Sequence, residues 1–146
     1  MDNAKIIAVG CDHGGYDLKN TIIKLLTDKG YTVNDLGTYG TESVDYPVYA
    51  SKVCDAVTSG EAPLGILVCG TGIGMSIAAN KHRGIRAALC SDVFSAKMTR
   101  AHNDANVLCL GARVIGPGLA CEIVKAFLSS SFEGGRHSKR VEMLEQ

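Results

Sequence analysis

Five short apolar runs, each followed by a longer stretch with helical spacing, set the limits on how this chain can fold. The runs are KIIAVGC (5–11), YTVNDLG (31–37), LGILVCG (64–70), IRAALC (85–90) and NVLCLG (106–111). After the first, Leu18, Ile22, Leu25 and Leu26 recur on one helical face, and Gly30 supplies a C-terminal stop. After the second, PVYASKVCDAV opens with proline at a first-turn position and puts Tyr49, Val53, Ala56 and Val57 on one side. Helical patterns over 73–81, 92–102 and 117–129 follow the other three, the last with Pro117 near its start. Strands that alternate with helices are joined by crossovers, so they run parallel in a sheet covered on both faces. The second run is the least apolar and reads as lying nearer an edge. The chain shows no repeat, low-complexity tract or linker, so one domain over 1–146 is expected. The tail FEGGRHSKRVEMLEQ is polar and locally basic with a glycine hinge, and is expected to lie outside the core.

Composition narrows the function classes. Fifteen basic residues balance fifteen acidic ones, which argues against a nucleic-acid coat or a membrane-surface protein. No apolar run nears the roughly 18 residues of a membrane span, and the apolar stretch in MDNAKIIAVGCDH is too short for a signal peptide. A cytoplasmic protein is expected. Cys11, Cys54, Cys69, Cys90, Cys109 and Cys121 form no CxxC pair. All but Cys69 read as small buried apolar residues rather than disulfide partners.

In open parallel sheets, ligands sit beyond the carboxyl ends of the strands. Those ends read CDHGG (11–15), DLGTYG (35–40), CGTGIG (69–74), CSD (90–92) and LGARV (110–114). In CGTGIG, Gly70, Gly72 and Gly74 let backbone N–H groups approach an anion at a helix start. The spacing is G-x-G-x-G, not the G-x-G-x-x-G of a dinucleotide site, and a Walker lysine is absent. Cys69 stands just before that helix, where the positive helix end favours thiolate. CDHGG contributes Asp12 and His13, and RAHNDAN contributes His102 and Asn103, read as further groups at the strand mouths. Asp12, His13, Cys69 and His102 lack the usual zinc-ligand spacings, so no metal is expected. Arg136 and Arg140 share a face if their segment is helical, and arginine suits bidentate phosphate contacts. An anion cradle, a thiol, an Asp–His pair, a second histidine and an arginine pair fit proton transfer on a small phosphorylated molecule.

The segments GCDHGG, DYPVYA, CGTGIGMSIAANK, GIRAALCSD, RAHNDANVLCLGARV and FEGGRHSKRVE resemble the type B ribose-5-phosphate isomerases, over about residues 5 to 142. Galactose-6-phosphate isomerase subunits share the fold and part of the motif set. The resemblance implies a Rossmann-like three-layer α/β/α sandwich with a five-stranded parallel sheet and a helical C-terminal tail. It implies interconversion of ribose 5-phosphate and ribulose 5-phosphate without metal or organic cofactor. It also implies a homodimer, able to pair into a tetramer, with active sites at the interface. Residue by residue, Cys69 is then the base and His102 assists ring opening, with Asp12 on the sugar hydroxyls and sharing that work. The amides of Gly70, Gly72, Ile73 and Gly74, with Thr71, hold the enediolate oxygen. Asn103 binds the sugar, Tyr46 lines the pocket, and His13, Arg113, Arg136 and Arg140 hold the phosphate. One branch of the family uses a glutamate base in the glycine loop. Met75 stands there in this chain, which supports the cysteine mechanism. Three other readings compete. A six-carbon sugar phosphate differs by pocket depth, a non-catalytic binding module needs neither Cys69 nor His102, and a thiol redox protein needs a resolving cysteine beside Cys69.

Overall fold

The computed structural model describes residues 3–145, so the expected domain ends at Met1 and Gln146 lie outside the described residues. The strands are β1 (Ile6–Cys11), β2 (Thr32–Asp35), β3 (Leu64–Cys69), β4 (Ala87–Leu89) and β5 (Val107–Gly111). They form one five-stranded sheet in the order β2-β1-β3-β5-β4, parallel at every pairing. The weakly apolar β2 is an edge strand, as its composition suggests.

The helices are α1 (Tyr16–Asp28), α2 (Tyr46–Thr58), α3 (Ile73–Ala79), α4 (Val93–Asn103), α5 (Pro117–Ser129) and α6 (Arg136–Leu144). Alternate strand residues feed two cores, because successive side chains point to opposite faces. Ile7, Val9, Ile66, Val68, Leu108 and Leu110 pack with Leu18, Ile22 and Leu26 of α1 and with Ile123, Val124 and Phe127 of α5. Ala8, Leu67 and Cys109 pack on the other face with Ala50, Val53 and Cys54 of α2 and with Met75 and Ala79 of α3. The result is the expected Rossmann-like α/β/α sandwich.

Local chemistry sets the helix starts. Pro47 and Pro117 occupy first-turn positions, where no helical N–H is lost. At α4, Asp92 accepts from the Ser95 backbone N–H at 2.7 Å and from its hydroxyl at 2.8 Å, which lowers the carboxyl pKa. Strand β4 is shorter than the 85–90 run. The Ile85 N–H turns back to His82 O at 3.2 Å and the Arg86 N–H goes to Asn106 Oδ1 at 2.8 Å, so neither donates to a strand carbonyl.

The tail lies outside both cores, as expected, and packs on the outer surface of the domain. The Glu133 N–H donates to Ala101 O at 3.0 Å, and α6 rests on α4 with His137 buried. Arg86 Nη1 reaches Glu145 Oε1 at 2.6 Å. The GGRHSKR segment reads as polar because α6 buries a single residue, His137, which composition alone does not reveal.

Candidate active site at the switch point of the sheet

The chain order reverses direction between β1 and β3, and such a switch point opens a crevice at the strand ends. The loops after β1 and β3 meet there. The Asp12 N–H donates to Val68 O at 3.2 Å, and a Cβ on Gly15 would lie 2.5 Å from that same carbonyl oxygen. On the other side, the Ala112 and Arg113 N–H groups donate to Cys69 O and Gly70 O, each at 2.9 Å. The glycine loop is thus clamped by its neighbours on both flanks.

Inside that clamp, the Gly72 N–H points at Cys69 Sγ from 3.2 Å. An amide so placed can donate a hydrogen bond to the sulfur. It depends on Gly72, whose φ of +78° is left-handed, as a side chain there seldom allows. Thr71 Oγ1 accepts from the Ile73 N–H at 3.2 Å. The next first-turn amides, of Gly74 and Met75, have no acceptor within α3, as is general at a helix start. They and the loop amides can face a developing oxyanion. Met75 itself is fully buried in the core, so its side chain contributes packing rather than chemistry.

The surrounding residues follow. Asp12 is 8% exposed and accepts from the Gly14 N–H at 2.9 Å, which fixes its carboxylate in the crevice. His13 Nδ1 accepts from the Val44 N–H at 3.1 Å. That bond puts the neutral ring's proton on Nε2, which becomes a donor. The Tyr46 ring covers Gly74 so closely that a Cβ there would be 2.8 Å from it. The Arg113 guanidinium lies over Gly70, with Nη1 3.5 Å from the Cβ position. One chain therefore brings together Asp12, His13, Tyr46, Arg113 and the 69–74 loop.

It does not bring His102 there. His102 and Asn103 end α4, and α4 feeds the amino end of β5, so they lie at the opposite end of the sheet from Cys69. Strands of this length hold the two ends roughly 15 Å or more apart. The reading of His102 as a strand-mouth group is corrected by this polarity, and so is its grouping with Asp12, His13 and Cys69. Arg136 and Arg140 go with His102, because α6 packs on α4. The sequence reading missed two residues in this second group, Glu133 and His137. His137 stacks on His102 with centroids 4.3 Å apart and planes at 13°. Glu133 Oε1 lies 3.6 Å from His137 Nε2 and 3.9 Å from His102 Nε2. These three residues place donor atoms within 4.8 Å of one another. Imidazole lone pairs lie in the ring plane, so two nearly parallel rings aim alongside each other rather than at one shared ion. The sequence signal was the FEGGRH stretch itself, where a histidine sits between two arginine-bearing turns of a helix.

The thiols divide by environment. Burial pushes Cys11 and Cys90 up to about 11 and Cys54 to about 12, and holds Cys109 well above its ordinary value. For Cys11 the nearby Lys19 ammonium opposes that shift without overcoming it. The register pairs Cys69 with Gly111 and Leu67 with Cys109, so Cys69 and Cys109 are diagonal neighbours, roughly 8 Å apart. That exceeds disulfide reach.

A doubly wound α/β domain with a thiol and unpaired helix-start amides at its switch point is the architecture of a protein that can handle a small anionic molecule. Comparison with known proteins gives that class its family. Residues 7–144 match the model of the Ribose/Galactose Isomerase family. The chain is similar to ribose-5-phosphate isomerase B of Escherichia coli, at 54% identity over 96% of this chain and 94% of that protein. It is 50% identical to a D-erythrulose-4-phosphate isomerase of Pectobacterium atrosepticum, over 94% of this chain and 91% of the relative. The solved structure of Clostridium thermocellum ribose-5-phosphate isomerase B superposes with a TM-score of 0.95 at 54% identity, covering 96% of this chain and 95% of that one. This chain belongs to the ribose/galactose isomerase family, and it is an isomerase. Among the described residues no helix is long and apolar enough to cross a membrane.

Proposed function

We propose that the chain interconverts D-ribose 5-phosphate and D-ribulose 5-phosphate, with Cys69 as the base. The observation that carries this reading is the Gly72 N–H aimed at Cys69 Sγ beside the open amides of the α3 start. Base and oxyanion donors must be neighbours, because a proton taken from carbon leaves charge on the adjacent oxygen. The family relatives point to the sugar phosphate, and the Pectobacterium D-erythrulose-4-phosphate isomerase supports a substrate chain length that varies among its members.

In the forward direction the furanose opens first. The C1 hydroxyl loses its proton as the C1–O4 bond breaks and O4 is protonated, work shared by His102 and Asp12. The Cys69 thiolate then takes the C2 proton, and that electron pair forms the C1–C2 double bond while the C1 carbonyl oxygen becomes the enediolate oxygen. The loop amides and Thr71 stabilise that oxygen. The C2 hydroxyl proton passes to O1, and Cys69 returns its proton to C1, which leaves the ketone at C2. His13 Nε2–H and Arg113 face the phosphate, and Asn103 and Tyr46 face the sugar. No metal or organic cofactor enters this scheme.

His102, Asn103, Arg136 and Arg140 reach that substrate from a second copy of the chain. The support is their place at the far end of the sheet, together with an apolar surface suited to self-association. Ile73 and Ile77 on one face of α3 are 52% and 57% exposed, and Phe94 at the start of α4 is 71% exposed. Two-fold pairing would place each group opposite the other.

The test uses two inactive variants, Cys69→Ala and His102→Ala, each assayed alone and after unfolding and refolding together. Each alone should lose nearly all turnover. Random mixing makes half the dimers hybrids with one intact site, so activity should return to about a quarter of the wild type. Full activity of Cys69→Ala would remove the base assignment. Failure of the mixture to recover would remove the shared site.

A further inference from the structure

The stack beneath His102 is not used by the scheme above. His137 has a side chain only 9% exposed, and its Nε2 is buried without a hydrogen-bond partner. Such a nitrogen is unfavourable in a dry setting, which calls for a use. Its ring lies flat against His102, whose own side chain is 38% exposed. Glu133 stands beside both rings, at 3.6 Å from His137 Nε2 and 3.9 Å from His102 Nε2, beyond hydrogen-bond length. The Glu133 backbone is tied to the last turn of α4 through Ala101 O, so this carboxylate moves with His102.

We propose that His137 is a positioning residue for His102, fixing the ring that opens the furanose through the flat face it presents and through the Glu133 carboxylate they share. This rests on the reading of His102 as a ring-opening group. A half-exposed histidine at a helix end has several rotamers open to it, and the stack selects one. The charged groups that face His137 are Arg136 and Arg140 from α6, Glu133 from the preceding loop and His102 from α4. Burial first, then the Arg136 and His102 charges and last Arg140, favour a neutral His137 against the pull of Glu133. A neutral ring lets His102 carry a proton without facing a second imidazolium, while Glu133 stabilises that charge. His102 then delivers the proton to O4 as the C1–O4 bond breaks, and regains one on closing.

Elementary sugar chemistry supplies a readout that a structural role would not move. Ribose 5-phosphate closes into a furanose through O4. Ribulose 5-phosphate cannot close a five-membered ring, because the O5 it would need carries the phosphate. Conversion from ribulose 5-phosphate therefore begins at the carbon acid, with no ring to open, and its open-chain ribose 5-phosphate can leave and close in solution. Initial rates in both directions are compared for the wild type, His137→Ala, His137→Phe and His102→Ala as intact oligomers. His137→Ala should lose roughly ten- to a hundredfold in the forward kcat, with the rate from ribulose 5-phosphate within about twofold of the wild type. His137→Phe keeps a flat partner and should recover most of the forward rate. Equal losses in both directions for His137→Ala, or a raised KM in both, would make His137 a structural or phosphate-binding residue and overturn the proposal. No loss in either direction would overturn it too. His102→Ala reports separately on the reading underneath. If it spares the reverse direction, ring opening stands whatever His137 does, and if it loses both equally, that reading fails first.

Discussion

Replacing Gly72 with alanine should break the link between the thiol and its donor while the fold survives. Two costs add. The left-handed backbone at φ +78° costs an alanine about 1–2 kcal/mol. The new Cβ would lie 2.5 Å from Leu89 Cδ1, 2.9 Å from Leu110 C and 3.1 Å from Gly111 N. The leucine tip can move, but the two backbone atoms belong to β5 and its buried end. Overpacking of that kind costs about 1–3 kcal/mol. The total of about 2–5 kcal/mol is a large part of a stability of about 5–15 kcal/mol, so the variant should fold with a lower urea midpoint. Gly30→Ala is the control. It has φ +89° with nothing within 4 Å of the Cβ position, so it carries the backbone cost alone. Relief of the contact pulls the Gly72 N–H off Cys69 Sγ. A hydrogen bond to a charged group is worth about 1.5–3 kcal/mol, which corresponds to roughly ten- to a hundredfold in kcat/KM. Urea unfolding and isomerase kinetics on both variants read the two effects. If Gly72→Ala is as stable as Gly30→Ala, the contact argument is wrong. If its kcat/KM falls less than about threefold, the amide does not support the base.

Two further outcomes follow from the titrating groups. Iodoacetamide at pH 8, read by mass spectrometry, should modify Cys69 and the partly exposed Cys121 while sparing Cys11, Cys54, Cys90 and Cys109, whose burial keeps them protonated. Inactivation should follow the label on Cys69 and persist in Cys121→Ser, and rapid labelling of Cys54 in the folded protein would contradict the burial argument. His137 has a folded-state pKa below its unfolded value, so the unfolded chain binds the extra proton. Its contribution to stability is present above the ordinary histidine range and is lost as the pH falls through that range toward the lowered value. The urea midpoint should drop on acidification, by less in His137→Phe than in the wild type. An equal drop in both would assign the loss to other groups.

Most of the fold was legible because apolar runs and helical spacing report the same thing that burial does. Pro117 marked a helix start, and the ends of 117–129 agree with α5. The polar face of α6 hid its packing, since one buried histidine in a basic segment carries no periodic signal. The site was legible in part for a similar reason. Cys69 ends a strand, Asp12 and His13 come just after one, and the strand-end rule finds such residues. His102 precedes a strand, which places it at the other end of a parallel sheet, but that needs the direction of the crossover and not just adjacency to a strand. The bond from Val44 to His13 joins residues 31 positions apart, beyond any local pattern.

The clamp on the glycine loop has a practical consequence for transplanting it. Its shape is held by the close approach of Gly15 to the Val68 carbonyl and of Gly111 to the Thr71 carbonyl, where a Cβ would come within 2.5 Å. A donor protein's CGTGIG grafted onto another α/β scaffold would carry the letters without those two bare backbones and would have room to relax away from the thiol. The portable unit is three strand ends, with a glycine in each neighbour.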